Sequence, residues 1–309
     1  GGWAPPWGIE YRVDHLGSMV LVVIAAVAFI NLIATRTSVQ KDFPGKISSF
    51  YGLSTLFVTG LMGVVITGDA FNLFVLLEIT ALTGYALIGM GSDHAPRASL
   101  NYVFMGTIGA SFYLLGVGYL YLATGTLNMA ELATLIPQMP RSTMILTAFI
   151  ICLTGLYMKM ALFPLHAWLP NAYTSAPPAA IGIIAPLTTK VMIYVLVRIT
   201  LYVFTPEFSF ARTTLNHSMV WLAVIAIVAG SSMALSQKNL KGILVYIIVA
   251  EVGYMVGGLW LANRSGITGA ILHIVNDAAM TLCVFLAAGS IGLKLKGDSF
   301  GTLKGCFRK

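Results

Sequence analysis

From residue 17 to residue 292 the chain is a succession of apolar runs of roughly 20 residues, joined by polar turns. A helix rising about 1.5 Å per residue needs about that length to cross the hydrocarbon core of a bilayer. Only 9% of the residues are charged, against about a quarter in a soluble domain. Because the deficit runs along the whole length, lipid rather than water must be the solvent of most of these segments. The runs predict nine membrane spans, at 17–36, 48–67, 70–90, 99–123, 143–163, 178–204, 217–236, 240–262 and 266–292. Residues 1–309 therefore read as one all-α polytopic membrane domain, with no alternating strand pattern and no room for a soluble domain. Its connections are short except at 124–142 and 164–177, the second of which is expected to be a helix-breaking loop.

The net charge of +7 takes its meaning from this setting. Basic residues of membrane proteins gather in cytoplasmic loops. One set of turns holds Arg36, Lys41, Lys46, Arg97, Lys238, Lys241, Lys294, Lys296, Lys304, Arg308 and Lys309. The other set holds Arg12, Arg141, Arg212 and Arg264, roughly matched by Glu10, Asp14, Asp69, Glu131 and Glu207. That bias predicts an amino-terminal end outside and a carboxyl-terminal tail in the cytoplasm, and an odd number of spans agrees. No run of five adjacent charges occurs, so a nucleic-acid partner is not expected. Cys152, Cys283 and Cys306 have neither the spacing of a zinc site nor that of a redox pair. The opening "GGWAPPWGIEYRVD" has no initiator Met and no basic leader, and together with the close "LKGCFRK" it reads as the interior of a longer protein.

Several ionisable residues fall where lipid would otherwise lie. Glu78 is near the middle of the third span, in "FNLFVLLEITALTGYALIG", and Lys159 is near the end of the fifth. Lys190 is central in the sixth, in "IIAPLTTKVMIYVLVR", and Glu251 is central in the eighth, in "VYIIVAEVGYMVGGL". His273 and Asp277 lie four apart in the ninth, on one helix face. An Asp, Lys or Arg at the bilayer centre costs about 2.5–3.5 kcal/mol on insertion scales. One such residue reads equally as a polar pin satisfied by a neighbour, and two as an ion pair that fixes packing. Five spans so marked point to proton relay instead. Burial favours the neutral form of a lysine or a carboxylate and a nearby opposite charge favours the charged form, so moving one partner of a pair switches the other.

The stretch "YMKMALFPLHAWLPNAYTSAPPA", residues 157–179, sets Lys159 beside Pro164, His166 and Pro170, which should interrupt the helix. Non-helical backbone at membrane depth is tolerated where protein buries it or where it lines a wet cavity, and broken helices mark ion sites in transporters. His166 adds a group that titrates near neutral pH. The plainer alternative is an ordinary helix exit on the cytoplasmic side, with His166 facing the headgroups.

In combination these segments resemble the antiporter-like membrane subunits. That family includes the proton-pumping subunits of respiratory complex I, the large subunits of Mrp sodium/proton antiporters, and the matching subunits of membrane-bound hydrogenases. "KMALFPLHAWLPNAYTSAPPA", followed by Lys190, Tyr194 and Arg198 at intervals of four, is the most specific part. "LLEITALTGYALIG", "SQKNLKGILVYIIVAEVGYM" and "HIVNDAAMTLCVFLAAG" extend the likeness over essentially the whole chain. The resemblance implies a fourteen-helix fold with two inverted five-helix repeats, of which the nine spans are the third to the eleventh helices. It places Glu78 at the glutamate of the fifth helix, Lys159 and Lys190 at the lysines of the seventh and eighth, and His273 at the histidine of the eleventh. Two segments depart from the pattern. Glu251 stands where many relatives carry histidine or glutamine, and the family's "NHAxxxK" reads "NDAAMT", with Asp277 and Thr281.

The expected function is proton translocation, with Na⁺ exchange open because carboxylates also bind Na⁺, by a subunit of a larger membrane complex. The implied relay is Glu78, Lys159, Lys190, Glu251 and His273, with His166, Lys238 and Asp277 as further relay or ion contacts. The expected partners are other membrane subunits and the bilayer, and the expected location is a prokaryotic inner membrane. No phosphate-binding glycine loop, haem pair or cluster-ligand cysteine set is present, so no cofactor is expected and catalysis by this chain alone is not. The competing readings are a secondary carrier of a small organic solute and a non-conducting scaffold subunit.

Overall fold

Backbone groups in hydrocarbon must be satisfied within the segment, and the long apolar runs accordingly become helices. The computed structural model describes residues 2–3, 8–91, 94–139, 142–212, 215–295, 297 and 299–303. Of the residues used above, Arg141, Lys296, Lys304, Cys306, Arg308, Lys309 and the side chain of Arg212 lie outside that description, as do residues 1 and 4–7 of the opening stretch.

The helices are α1 (His15–Ala34), α2 (Arg36–Asp42), α3 (Ile47–Ile66), α4 (Ala70–Gly89), α5 (Ala95–Thr124), α6 (Met129–Leu135) and α7 (Thr143–Lys159). They continue as α8 (Trp168–Ser175), α9 (Pro178–Arg198), α10 (Asn216–Leu235), α11 (Leu240–Trp260), α12 (Arg264–Leu295) and α13 (Phe300–Leu303). Pairing of strand type is limited, among the described residues, to isolated bridges such as Asp69 with Asn128. Among the described residues, eight of the helices are long and apolar enough to cross a membrane: α1, α3, α4, α5, α9, α10, α11 and α12. The run at 143–163, expected as a full span, forms the 17-residue helix α7 and stops at Lys159.

Local chemistry accounts for that stop. Ala161 takes a left-handed conformation, φ 59°, and the Phe163–Pro164 peptide is cis. Within 164–177, expected as a loop, the chain turns helical again as α8. Pro170, expected to interrupt a helix, sits in the first turn of α8, where its missing N–H would have had no intrahelical partner. The long connection at 124–142 likewise holds α6, whose N-cap Asn128 accepts from the N–H groups of Ala130 and Glu131.

Burial is uneven among the helices. The apolar length of α9 is buried throughout, whereas α1, α3, α4, α5, α10 and α12 turn much of their apolar surface outward. Phe29, Phe104, Leu122 and Trp221 are among the large side chains so exposed, as lipid-facing surface requires. Helix α9 packs against α1, α3, α12 and, less extensively, α4, α7 and α11. Two contacts set the start of one helix beside the end of another: Asp14 before α1 meets Arg198 at the end of α9, and Lys241 at the start of α11 meets Thr174 at the end of α8.

Helix contacts rest on small residues, as expected where lipid supplies no hydrophobic drive between helices. Helices α5 and α7 pack extensively across Gly109 and Gly155. A Cβ on Gly155 would lie 2.5 Å from Gly109 O and 2.7 Å from Tyr113 N, both backbone atoms that cannot swing aside. Gly155→Leu is therefore expected to cost at least the ~1–3 kcal/mol of an overpacked core. It should lower the melting temperature of the detergent-solubilised protein. An unchanged melt would mean that α5 and α7 do not meet at this point.

Candidate functional site

Among the described residues, six ionisable side chains within the long helices form three pairs. Lys159, the last residue of α7, places Nζ 2.9 Å from Glu78 Oε1 on α4, with side-chain exposures of 7% and 24%. Lys190 on α9 places Nζ 2.9 Å from Asp277 Oδ2 on α12, and these side chains are only 1% and 2% exposed. His273, one turn before Asp277 on α12, pairs through Nε2 with Glu251 on α11. The middle pair makes further hydrogen bonds. Lys190 Nζ donates to Thr281 Oγ1 at 3.2 Å and to the Ala185 carbonyl at 3.3 Å, and Thr281 donates to Asp277 Oδ1 at 2.7 Å.

Asp277, expected only as a subsidiary contact, is thus the partner of Lys190, and the second departure from the family pattern, Thr281, completes that site. His166 is buried in the break with its ring near Phe163 and Tyr246, and it joins none of the three pairs. Lys238 is exposed in the turn between α10 and α11 and joins none either.

The break is held by bonds that replace the helix ladder. Trp168 donates its indole N–H to the Met158 carbonyl at 3.0 Å, and the Leu162 N–H reaches the Tyr157 carbonyl at 3.0 Å. Beyond α8, Lys241 donates to the carbonyls of Thr174, at 2.8 Å, and Ala176. Sequence reasoning used Lys241 only as a loop charge. The available signal was a lysine at a helix start, where the dipole disfavours it, so that an acceptor elsewhere was to be expected.

A second network ties the opposite end together. Asp14 caps α1 by accepting the Gly17 N–H at 2.9 Å and receives Arg198 Nη2 from the end of α9. Arg198 Nε donates to the Tyr194 hydroxyl at 2.8 Å, which donates to the Val65 carbonyl at 2.7 Å. The Arg198 guanidinium also lies over the Tyr202 ring, 4.5 Å from its centroid.

The geometry defines a helical membrane domain that carries three acid–base pairs within its long helices, one of them at a helix break. Residues 67–304 match the family described as "NADH:quinone oxidoreductase/Mrp antiporter, TM", and the chain belongs to that family. It is 42% identical to NADH-quinone oxidoreductase subunit N of Desulforudis audaxviator, over 98% of this chain and 61% of that protein. It is 30% identical to a Na⁺/H⁺ antiporter subunit of Bacillus subtilis, over 94% of this chain and 58% of that one. In structure it superposes on a chain of the membrane-bound sulfane sulfur reductase, an archaeal respiratory membrane complex, with a TM-score of 0.88 at 34% identity. That match covers 98% of this chain and 61% of the other. The chain therefore spans about three fifths of the length of these relatives.

Removing one partner of a buried pair strands the other charge and costs about 3–5 kcal/mol, whereas replacing both with apolar groups is often near neutral. Asp277→Leu is accordingly expected to lower the melting temperature sharply, and adding Lys190→Met should restore most of the loss. Equal melts for the single and double variants would show that the two side chains do not pair. At the other end, partial burial pushes the Asp14 carboxyl up, but the Arg198 guanidinium and the Gly17 N–H outweigh it and hold the group below the usual aspartate value. A depressed carboxyl stabilises the fold above its unfolded value, near pH 3.9, and that contribution is lost as pH falls through the folded value. Asp14→Asn should therefore lower the melting temperature at pH 7, and the gap from the parent should close as pH falls through the folded value.

Proposed function

We propose that the chain is a proton-translocating membrane subunit of a multisubunit complex, with Na⁺ as a candidate counter-ion at its carboxylates. The observation that carries this reading is the set of three acid–base pairs, with Lys159 placed where α7 breaks. In this scheme Glu78 holds Lys159 in its charged form. Drawing Glu78 away, or protonating it, removes that support, and desolvation then drives the lysine to release its proton. The proton passes to Lys190 and Asp277 and on to His273 and Glu251. Residues His273 and Asp277 share one face of α12, so the transfer between the second and third pairs spans a single helical turn.

Three features support the assignment. Family membership places the chain among subunits whose named relatives belong to a quinone oxidoreductase and a sodium/proton antiporter. A structural relative sits in a respiratory membrane complex. The relay residues are also charges that a membrane helix carries only at a cost. The energy source in this reading is a partner's redox step or an opposing ion gradient. The reading further takes α7, the break and α8 together as one crossing, which makes nine spans of a fourteen-helix inverted-repeat fold. It sets the end bearing Arg36, Lys41, Lys46, Arg97, Lys238, Lys241 and Lys294 toward the cytoplasm of a prokaryotic inner membrane.

The test is ion flux by the intact complex reconstituted in vesicles. Lys159→Ala is expected to lower proton flux per assembled complex by more than about tenfold, and Glu78→Gln to lower it less, since a neutral amide still accepts a hydrogen bond. Parent-level flux in Lys159→Ala would overturn the assignment. A solute carrier would instead keep transport and change substrate preference, and a scaffold would lose assembly without losing flux per complex.

A further inference from the structure

Beside the Glu78–Lys159 pair, between α4, α5, α8 and α9, lies a cavity of about 30 Å³. Tyr85, Gly106, Lys159, Trp168 and Thr188 line it, and that volume holds one or two waters. Its wall is rigid. The Tyr85 ring meets Tyr102 edge-on at 4.5 Å, and Tyr102 stacks on Trp168 at 4.1 Å. Yet the Tyr85 hydroxyl is buried and has no hydrogen-bond partner among the described residues. A buried hydroxyl left unpaired costs about 1–3 kcal/mol, so its placement in a cavity calls for a polar occupant. Gly106 makes the placement feasible, because a Cβ there would stand 1.8 Å from Tyr85 Oη.

The opposite wall leads onward. Thr188 on α9 faces the cavity. The next residue, Thr189, is fully buried and its hydroxyl also has no partner among the described residues. Lys190 follows. Successive helix residues turn by about 100°, so these three side chains carry polar atoms from the cavity round α9 to the face that meets α12. Along the rest of α9 the buried stretch from Ala179 to Val197 is almost wholly apolar.

We propose that Tyr85 and Thr188 position water in this cavity, and that this water, with the Thr188 and Thr189 hydroxyls, forms the bridge by which a proton leaves Lys159 and reaches Lys190. The inference rests on the relay reading above. The Lys159 ammonium gives its proton to the water. The water and each hydroxyl accept one proton and donate one, and the neutral Lys190 amine takes the last, so only the two lysines change charge.

The intact complex in vesicles tests this, with proton flux measured per assembled complex. Tyr85→Phe keeps the ring stack and loses the hydroxyl, and Thr188→Val keeps the shape and loses the hydroxyl. Each is expected to lower flux about tenfold, whereas Thr188→Ser, which restores a hydroxyl, should retain the parent flux. Lys159→Ala is run beside them. If it abolishes flux while Tyr85→Phe and Thr188→Val run at the parent rate, the relay stands and the bridge is wrong. If Thr188→Ser falls as far as Thr188→Val, the position acts through packing, which also overturns the bridge. Parent-level flux in Lys159→Ala would overturn both readings.

Discussion

Lys190 and Asp277, 2.9 Å apart and almost entirely shut off from solvent, are the contact around which the rest of the bundle is arranged. Each charge alone would be prohibitively costly at that depth, and together they are tolerable only with nearly ideal geometry and their remaining donors and acceptors filled. Thr281 and the Ala185 carbonyl take up Lys190 Nζ and Asp277 Oδ1, and Asp277 Oδ2 meets the ammonium as an ion pair. The requirement fixes the rotation of α9 against α12, the register of Lys190, and the side of α12 that turns inward. His273, one turn away, is thereby aimed at Glu251 on α11. Two of the three pairs thus follow from one helix being held in one orientation.

The third pair depends on the break. A continuous helix through 160–167 would have carried the chain beyond Lys159 without opening the ladder. The left-handed Ala161 ends α7 with the ammonium against Glu78, and Trp168 returns a donor to the Met158 carbonyl left over. The same indole stacks on Tyr102, so one side chain both repairs the backbone and walls the cavity beside Lys159. Lys241 performs the equivalent repair at the far end of α8. Protein groups cover Met160, Ala161, Leu162 and His166 of the break, while Pro164 and Ala167 are exposed, and such covering is what lets irregular backbone be tolerated.

Much of this was legible along the chain, for identifiable reasons. Hydropathy sums over neighbouring residues, so the long spans show in the sequence wherever helix and apolar run coincide. At 143–163 it did not show where the helix ends, because an apolar run does not report backbone conformation: the residues past Lys159 are greasy enough to span and still turn. Pro170 misled for the converse reason, since proline ends a helix from its interior but opens one from its first turn. The ionisable candidates were visible because a charge in an apolar run is rare. The hydroxyls of Tyr85, Thr188 and Thr189 carry no such mark.

The sequence by itself determined that this is a helical membrane domain, which spans carry ionisable groups, and that the helix holding Lys159 is interrupted. Those properties are local, set by the cost of charge in lipid and by proline geometry. Only the tertiary structure decided that Lys190 meets Asp277, that Glu251 meets His273, and that Asp14 reaches Arg198. Partnership depends on helix rotation and on which neighbours close-pack, and residues such as Gly155 and Gly109 set those through contacts distant in sequence. A lysine in a span can be read from the chain. Whether it is charged, pinned or able to move a proton is decided by the residue that the fold places 2.9 Å away.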